Sequence, residues 1–178
     1  RAAYRHGARE GFAAADGPAE GEEIERIVAA AGGTAVPMRA DGNTVAVVSG
    51  AGLTMATADM LTELGVPLRC VMDLGGAPVS GAEGMVPVFE AVAALAPEGT
   101  FINAYLHSSL ADKFAEAIRA AYGRRPFPGR VVLRLLGRNA EAGHAILAPL
   151  GFEVVEGFVD ALETVARSAR AAGAREAD

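Results

Sequence analysis

Thr44–Leu64 reads TVAVVSGAGLTMATADMLTEL, and its two halves have different periods. Thr44–Val48 is a short apolar run rich in β-branched valine, ending on Ser49-Gly50-Ala51-Gly52. Beyond the glycines, Leu53, Ala56, Met60, Leu61 and Leu64 recur at helical spacing until Gly65-Val66-Pro67 stops the pattern. A strand that is apolar along its whole length, rather than at alternate positions, is buried on both faces. Such strands belong to parallel sheets covered by helices.

The same unit repeats along the chain. Leu68–Leu74 is the next strand, followed by a glycine-rich loop, Gly75–Gly84, and a helix pattern at Met85, Val88, Phe89, Val92 and Leu95. Thr100–Ala104 is predicted as a strand and Leu110–Tyr122 as a helix with Phe114, Ala117, Ile118 and Ala121 on one face. After a loop with two prolines, Arg124–Gly129, come a strand Val131–Leu135, a helix Ala140–Leu150, a strand Phe152–Val155 and a helix from Phe158 to about Ala171. Five successive strand–helix units with right-handed crossovers leave few topologies. The expected architecture is α/β, a doubly wound five-stranded parallel sheet of flavodoxin type.

This domain is expected over residues 41–172. Residues 1–40 read as a connector: an irregular stretch to about residue 20, one short helix over Glu22–Ala31, then a short stretch, Thr34–Met38, leading to an Asp41-Gly42 turn. Residues 173–178, GAREAD, read as a frayed tail.

The 178 residues suit one domain, and 51% of them are hydrophobic, enough for a sizeable core. With 21% charged residues of mixed sign the chain is not expected to be disordered. No apolar run approaches the roughly 18 residues of a membrane span, and the opening RAAYRHGARE lacks the order of a secretory signal. A net charge of −6 argues against a nucleic-acid partner. A single cysteine, Cys70, rules out an internal disulfide and a cysteine-based zinc site. A cytoplasmic chain, with no nucleic-acid or membrane partner, is the expectation.

Ligands of open parallel sheets bind at the carboxyl ends of the strands, near the reversal of strand order. Two loops there run directly into helices, whose unpaired N–H groups and positive end suit a phosphate or carboxylate. In Ser49-Gly50-Ala51-Gly52 the glycines would let an anion approach the backbone, and Ser49 or Thr54 could add a hydroxyl. The run lacks the third glycine of a dinucleotide fingerprint and the Gly-Lys-Ser/Thr ending of a phosphate loop. Taken alone it reads first as a tight strand-to-helix turn. In the second loop, Asn103–Ser109, Ser108 or Ser109 is expected to cap the following helix, with His107 beside them. Asp73 lies at a strand end, where a structural hydrogen bond is the simpler reading, and Arg134 and Asn139 lie at the fourth strand end, where an interface role and a site role are equally open. His6 falls in the irregular N-terminus and His144 on an exposed helix face; three scattered histidines make no metal site. Cys70, mid-strand, is expected to be a small buried apolar residue.

DGNTVAVVSGAGLTMATADML, then DLGG, FINAYLHSSLADKF and VVLRLLGRNAEAG, from about Asp41 to Val165, resemble one family in order and spacing. They are similar to the C-terminal ligase domain of the succinyl-CoA synthetase β subunit and its malate–CoA ligase relatives. The resemblance implies a part of a larger machine: an ATP-grasp module phosphorylates a histidine of an α subunit, the phosphate passes to a carboxylic acid, and CoA attacks the acyl phosphate. It implies an α-type CoA-binding subunit and an ATP-grasp module as partners, and a small carboxylic acid as substrate. ATP or GTP, Mg and CoA are implied for the assembly, none of them held by this chain; alone it is expected not to catalyse.

Gly50 and Gly52 match the family, which usually has Asn at Ser49 and two small residues, commonly Gly-Gly, within Leu106-His107-Ser108-Ser109. Two expectations follow from that altered loop. Either Ser49, His107, Ser108 and Ser109 contact a different acid within an enzyme subunit, or the chain is a non-catalytic interaction or regulatory scaffold that kept the fold.

Overall fold

In the computed structural model the described residues are 18–79, 81–95 and 97–176. Thr44–Ser49, here β2, is buried from Thr44 to Val48, as its unbroken apolar run requires. Helix α2 follows directly over Ala51–Glu63, and β3 covers Leu68–Asp73. Helix α3 (Ala82–Ala94), strand β4 (Gly99–Leu106), helix α4 (Ala111–Arg124), strand β5 (Arg130–Gly137), helix α5 (Ala140–Leu147), strand β6 (Glu153–Val154) and helix α6 (Phe158–Glu176) complete the alternation. Ahead of β2 stand helix α1 (Pro18–Ala30) and strand β1 (Thr34–Pro37).

The strands form one sheet in the order β1-β3-β2-β4-β5-β6. From β3 to β6 all neighbours are parallel, and that order is the 2-1-3-4-5 arrangement of flavodoxin-like folds. The sheet has six strands where five are expected, because β1 pairs antiparallel with β3, Thr34 facing Asp73 and Pro37 facing Cys70. Only Ala35 of its four residues is buried and the strand ends on a proline, so it carries neither an unbroken apolar run nor a clean alternation. The stretch predicted as a connector is thus stitched into the sheet, and Ile24, Val28 and Ala35 belong to its core.

Two apolar layers sandwich the sheet. Val45, Val47, Met72, Ile102, Leu133 and Leu135 pack against α1, α3, α4 and α5. Ala46, Val48, Val71, Phe101 and Val132 pack against α2 and α6. Consecutive strand residues therefore enter opposite layers, the period of two expected of β structure.

Several boundaries differ from the sequence expectation. The glycine-rich loop after β3 is shortened by a 3₁₀ turn at Ala77–Val79 and by α3 opening at Ala82. Helix α5 gives way at Ala148 to a 3₁₀ turn containing Pro149, whose missing N–H and fixed ring cannot continue an α-helix. Helix α6 runs on to Glu176, past residue 173, where the tail is expected to begin. His6 and residues 1–17 of the stretch expected to be irregular lie outside the described residues.

Cys70 is buried in the α1-side layer, and burial pushes its thiol up to about 12. At pH 8 that leaves roughly one thiolate in ten thousand. Iodoacetamide is expected to leave the folded chain unlabelled at pH 8 and to alkylate Cys70 once urea unfolds it; mass spectrometry of the two samples checks this. Fast labelling without denaturant would contradict the burial.

Candidate functional site

At the carboxyl edge of the sheet, strand order reverses between β2 and β4. Helix α2 leaves β2 on one face and α4 leaves β4 on the other, so the two loops flank the reversal. They are not equivalent.

The first loop is open and held from behind. Gly50 caps α2 with φ +109°, a backbone angle that side-chain-bearing residues rarely adopt, so glycine is required there. Nothing lies within 4 Å of where a Cβ would stand on Gly50 or Gly52, which leaves the backbone accessible. Asp73 Oδ1 accepts from the N–H groups of Gly50 (3.1 Å) and Gly75 (2.9 Å). Asp73 thereby fixes the turn and takes up the Gly50 amide. The amides of Ala51, Gly52 and Leu53 remain as first-turn N–H groups without intrahelical acceptors. Thr54 adds no free hydroxyl, because its Oγ1 donates to the Gly50 carbonyl at 2.9 Å. Ser49, half-buried at the end of β2, is the hydroxyl left beside these amides.

The second loop is more closed. Strand β4 continues to Leu106, and the cap of α4 is Leu110, in an extended conformation without a side-chain cap. The expected capping by Ser108 or Ser109 is corrected: residues 107–109 form a bend ahead of the helix. The Arg138 carbonyl receives the Ala111 N–H at 2.8 Å, so a backbone acceptor fills the first amide of α4. His107 is exposed and its ring meets that of Tyr105 edge-on, 4.1 Å between centroids.

Asn139 is the cap of α5, with φ +61°, and its Nδ2 donates to Asp112 Oδ1 in the first turn of α4 (3.2 Å). His144 is half-buried rather than exposed. Its Nε2 donates to the Leu135 carbonyl at 2.9 Å, which assigns the ring proton and gives the residue a structural role.

Arg134 lies opposite Asn103 in the β4–β5 register. Its Nη1 donates to Asn103 Oδ1 (3.0 Å), its Nε to the Glu156 carbonyl (2.9 Å), and its guanidinium carbon stands 5.5 Å from the centre of the Phe158 ring. Partial burial draws its pKa below the ordinary arginine value, against a smaller opposing effect of Tyr105; the side chain stays charged.

Among the described residues no group of three or more His, Cys, Asp or Glu comes together to hold a metal ion, and no helix is long and apolar enough to cross a membrane. A cavity of about 10 Å³ opens at the opposite, amino edge, lined by Asn43, Glu98, Thr100 and Arg130 among others. It has room for one water at most, not an organic acid.

The chain is 31% identical over 133 residues to the β subunit of the ADP-forming succinate–CoA ligase of Coxiella burnetii, covering 73% of this chain. It is 34% identical over 128 residues, 70% of this chain, to the corresponding subunit of Laribacter hongkongensis. The chain is a homologue of the succinate–CoA ligase β subunits. It spans about a third of their length, 34% and 32%. No family model matches it. Among solved structures, ATP citrate lyase from Methanosaeta concilii, described in complex with (3S)-citryl-CoA, superposes with a TM-score of 0.65 at 18% identity, over 80% of this chain and 40% of that one. At that identity the likeness shows a shared fold.

Within this CoA-ligase-like domain, sequence reasoning located both carboxyl-edge loops but missed what holds them. Asn103 is fully buried, and its Nδ2 donates to Thr57 Oγ1 in α2 at 3.0 Å. The signal was an asparagine inside the otherwise apolar FINAYL run, a polar group that burial obliges to find partners.

Proposed function

We propose that this chain is the acid-handling ligase portion of a nucleotide-dependent acid–CoA ligase, working with an α-type CoA-binding subunit and an ATP-grasp module. The likeness to succinate–CoA ligase β subunits over 133 residues is the observation that carries the reading. The open first turn of α2 supports it. Nucleotide and Mg are assigned to the other module. CoA is assigned to the α-type subunit.

The chain's own contribution is binding and electrostatic. The Ala51, Gly52 and Leu53 amides face the carboxyl edge with the positive end of α2 behind them, so they would stabilise charge on a carboxylate or phosphoryl group placed there. Ser49 supplies a hydroxyl donor beside them. His107, Ser108 and Ser109 fill the β4 loop with polar groups that would meet the far end of the acid.

A second reading, a scaffold that keeps the fold and its partners without turnover, is favoured by one feature. The first amide of α4 is already bonded to Arg138, which leaves that helix end less able to bind an anion.

Reconstitution separates the two. The chain is combined with the α-type and ATP-grasp proteins that co-purify with it from its host, and CoA-thioester formation is followed across a panel of dicarboxylic and hydroxy acids. Nucleotide-dependent thioester formation that needs this chain is expected, and Ser49→Ala with His107→Ala should lower it about 100-fold, the loss of two donors. An assembled complex that turns over none of the acids would favour the scaffold. Failure to recover either partner would overturn the ligase reading.

A further inference from the structure

Thr57 on α2, Asn103 on β4 and Arg134 on β5 form a continuous hydrogen-bonded chain across the α2–α6 face of the sheet. Thr57 and Asn103 are both fully buried. In β4, Asn103 shares its face with Phe101, which packs into an apolar layer with Val48 and Val132. An apolar side chain would suit that layer, yet the position holds an amide with a directed bond at each end. At the far end Arg134 continues to the Glu156 carbonyl and the Phe158 ring, where α6 begins. Both helices of this face are thus referenced to the same register pair, Asn103 and Arg134.

We propose that Asn103 and Arg134 are positioning residues for the Ser49–Gly52 loop: through Thr57 they fix how α2 sits on the sheet, and so where the Ala51, Gly52 and Leu53 amides point. The proposal rests on the reading above that those amides face an anion. Apolar packing alone tolerates sliding and rotation before it loses much stability, whereas a satisfied buried polar chain specifies one arrangement. Asp73 anchors the loop from the β3 side through Gly50. The Thr57–Asn103 bond anchors the same helix from the β4 side, at a point about two turns further on. Two anchors on opposite sides of β2 set both the place and the tilt of α2. Among the described residues Arg134 has no carboxylate partner; its donors go to an amide oxygen and a backbone carbonyl. Its fork geometry is therefore what matters, and lysine, which keeps the charge, does not replace it.

Thr57→Val, near-isosteric, removes only the bond to α2, and Arg134→Lys removes the fork while keeping the charge. Full-length ¹⁵N-labelled chains are compared by thermal melting, by residual dipolar couplings of α2 against β2 and β4, and by titration with inorganic phosphate followed at the Ala51, Gly52 and Leu53 amides. Both variants are expected to stay folded, to change the α2 couplings, and to weaken phosphate by about tenfold, the order of loss of one hydrogen bond. Thr57→Val combined with Asn103→Leu should weaken phosphate no further than Thr57→Val alone. Unchanged couplings in Thr57→Val would overturn the proposal, as would full rescue by lysine at position 134. If the parent chain binds no phosphate, the anion reading of the loop falls; the couplings still decide the positioning role by themselves.

Discussion

Gly137→Ala lowers the melting temperature by about 10 °C or more and shifts the start of α4. Gly137 ends β5 opposite Leu106, with φ +114°. A Cβ there would run into the backbone carbonyl of Leu106, so two costs combine. The backbone angle is strained for any residue but glycine, about 1–3 kcal/mol, and the overlap obliges one of two hydrogen-bonded strand ends to move. A total of about 3–4 kcal/mol corresponds to roughly 10 °C in a domain of this size. The displacement also has a direction. Arg138 donates to the Leu106 carbonyl, and its own carbonyl receives the first amide of α4. Pushing Gly137 away from Leu106 therefore pulls on the loop that carries His107. Gly123→Ala is the control: Gly123 is exposed in α4 with nothing within 4 Å of its would-be Cβ, and alanine there should stabilise by about 0.5–1 kcal/mol. Thermal unfolding of both proteins measures the contrast; equal melting temperatures would contradict the close approach of β4 and β5.

Phe114→Ala costs about 3–5 kcal/mol, a large share of the 5–15 kcal/mol that usually holds a domain together. Phe114 on α4 and Phe89 on α3 are both fully buried and meet edge-to-face, 5.5 Å between centroids and 83° between planes. Truncation removes apolar burial, opens a cavity between two well-packed helices, and discards a favourable ring geometry. Phe89→Ala should cost a similar amount. The double variant should fall short of the sum by about 0.5–1.5 kcal/mol, because each single change already forfeits the pair. Urea unfolding of the three proteins tests this. A loss below about 1 kcal/mol for Phe114→Ala would mean that α4 is not seated as described.

The parts of this fold that were legible in the sequence share one property: burial on both sides. Val45–Val48 and Cys70–Met72 lie under helices on each face, so their apolar runs are unbroken and announce a parallel sheet. Strand β1 sits at an edge with only Ala35 of its four residues buried, and such a strand leaves no pattern of its own. The cap of α4 was misread for a related reason. Serine is a good cap in general, but the start of this helix is set by the register of β4 with β5, which carries the strand to Leu106 and delivers a backbone acceptor from Arg138. At the candidate site the glycines were legible because they must be glycine or must be open. The long-range partners of Asp73, Asn103 and Arg134 were not: Gly50, Thr57 and Asn103 each lie in a different strand–helix unit from the residue they bind, and no local spacing encodes them.

The edge strand has a further consequence. Thr34 at the start of β1 stands in register with Asp73, and the Gly32 carbonyl receives the Gly76 amide at 3.4 Å. The turn leaving α1 is therefore built against the same few residues that grip the Gly50 amide. Helix α1 is itself seated in the core through Ile24 and Val28. The α1–β1 segment is thus tied to the clasp on the Gly50 turn, and a fragment cut at residue 41 would lose that tie along with the strand.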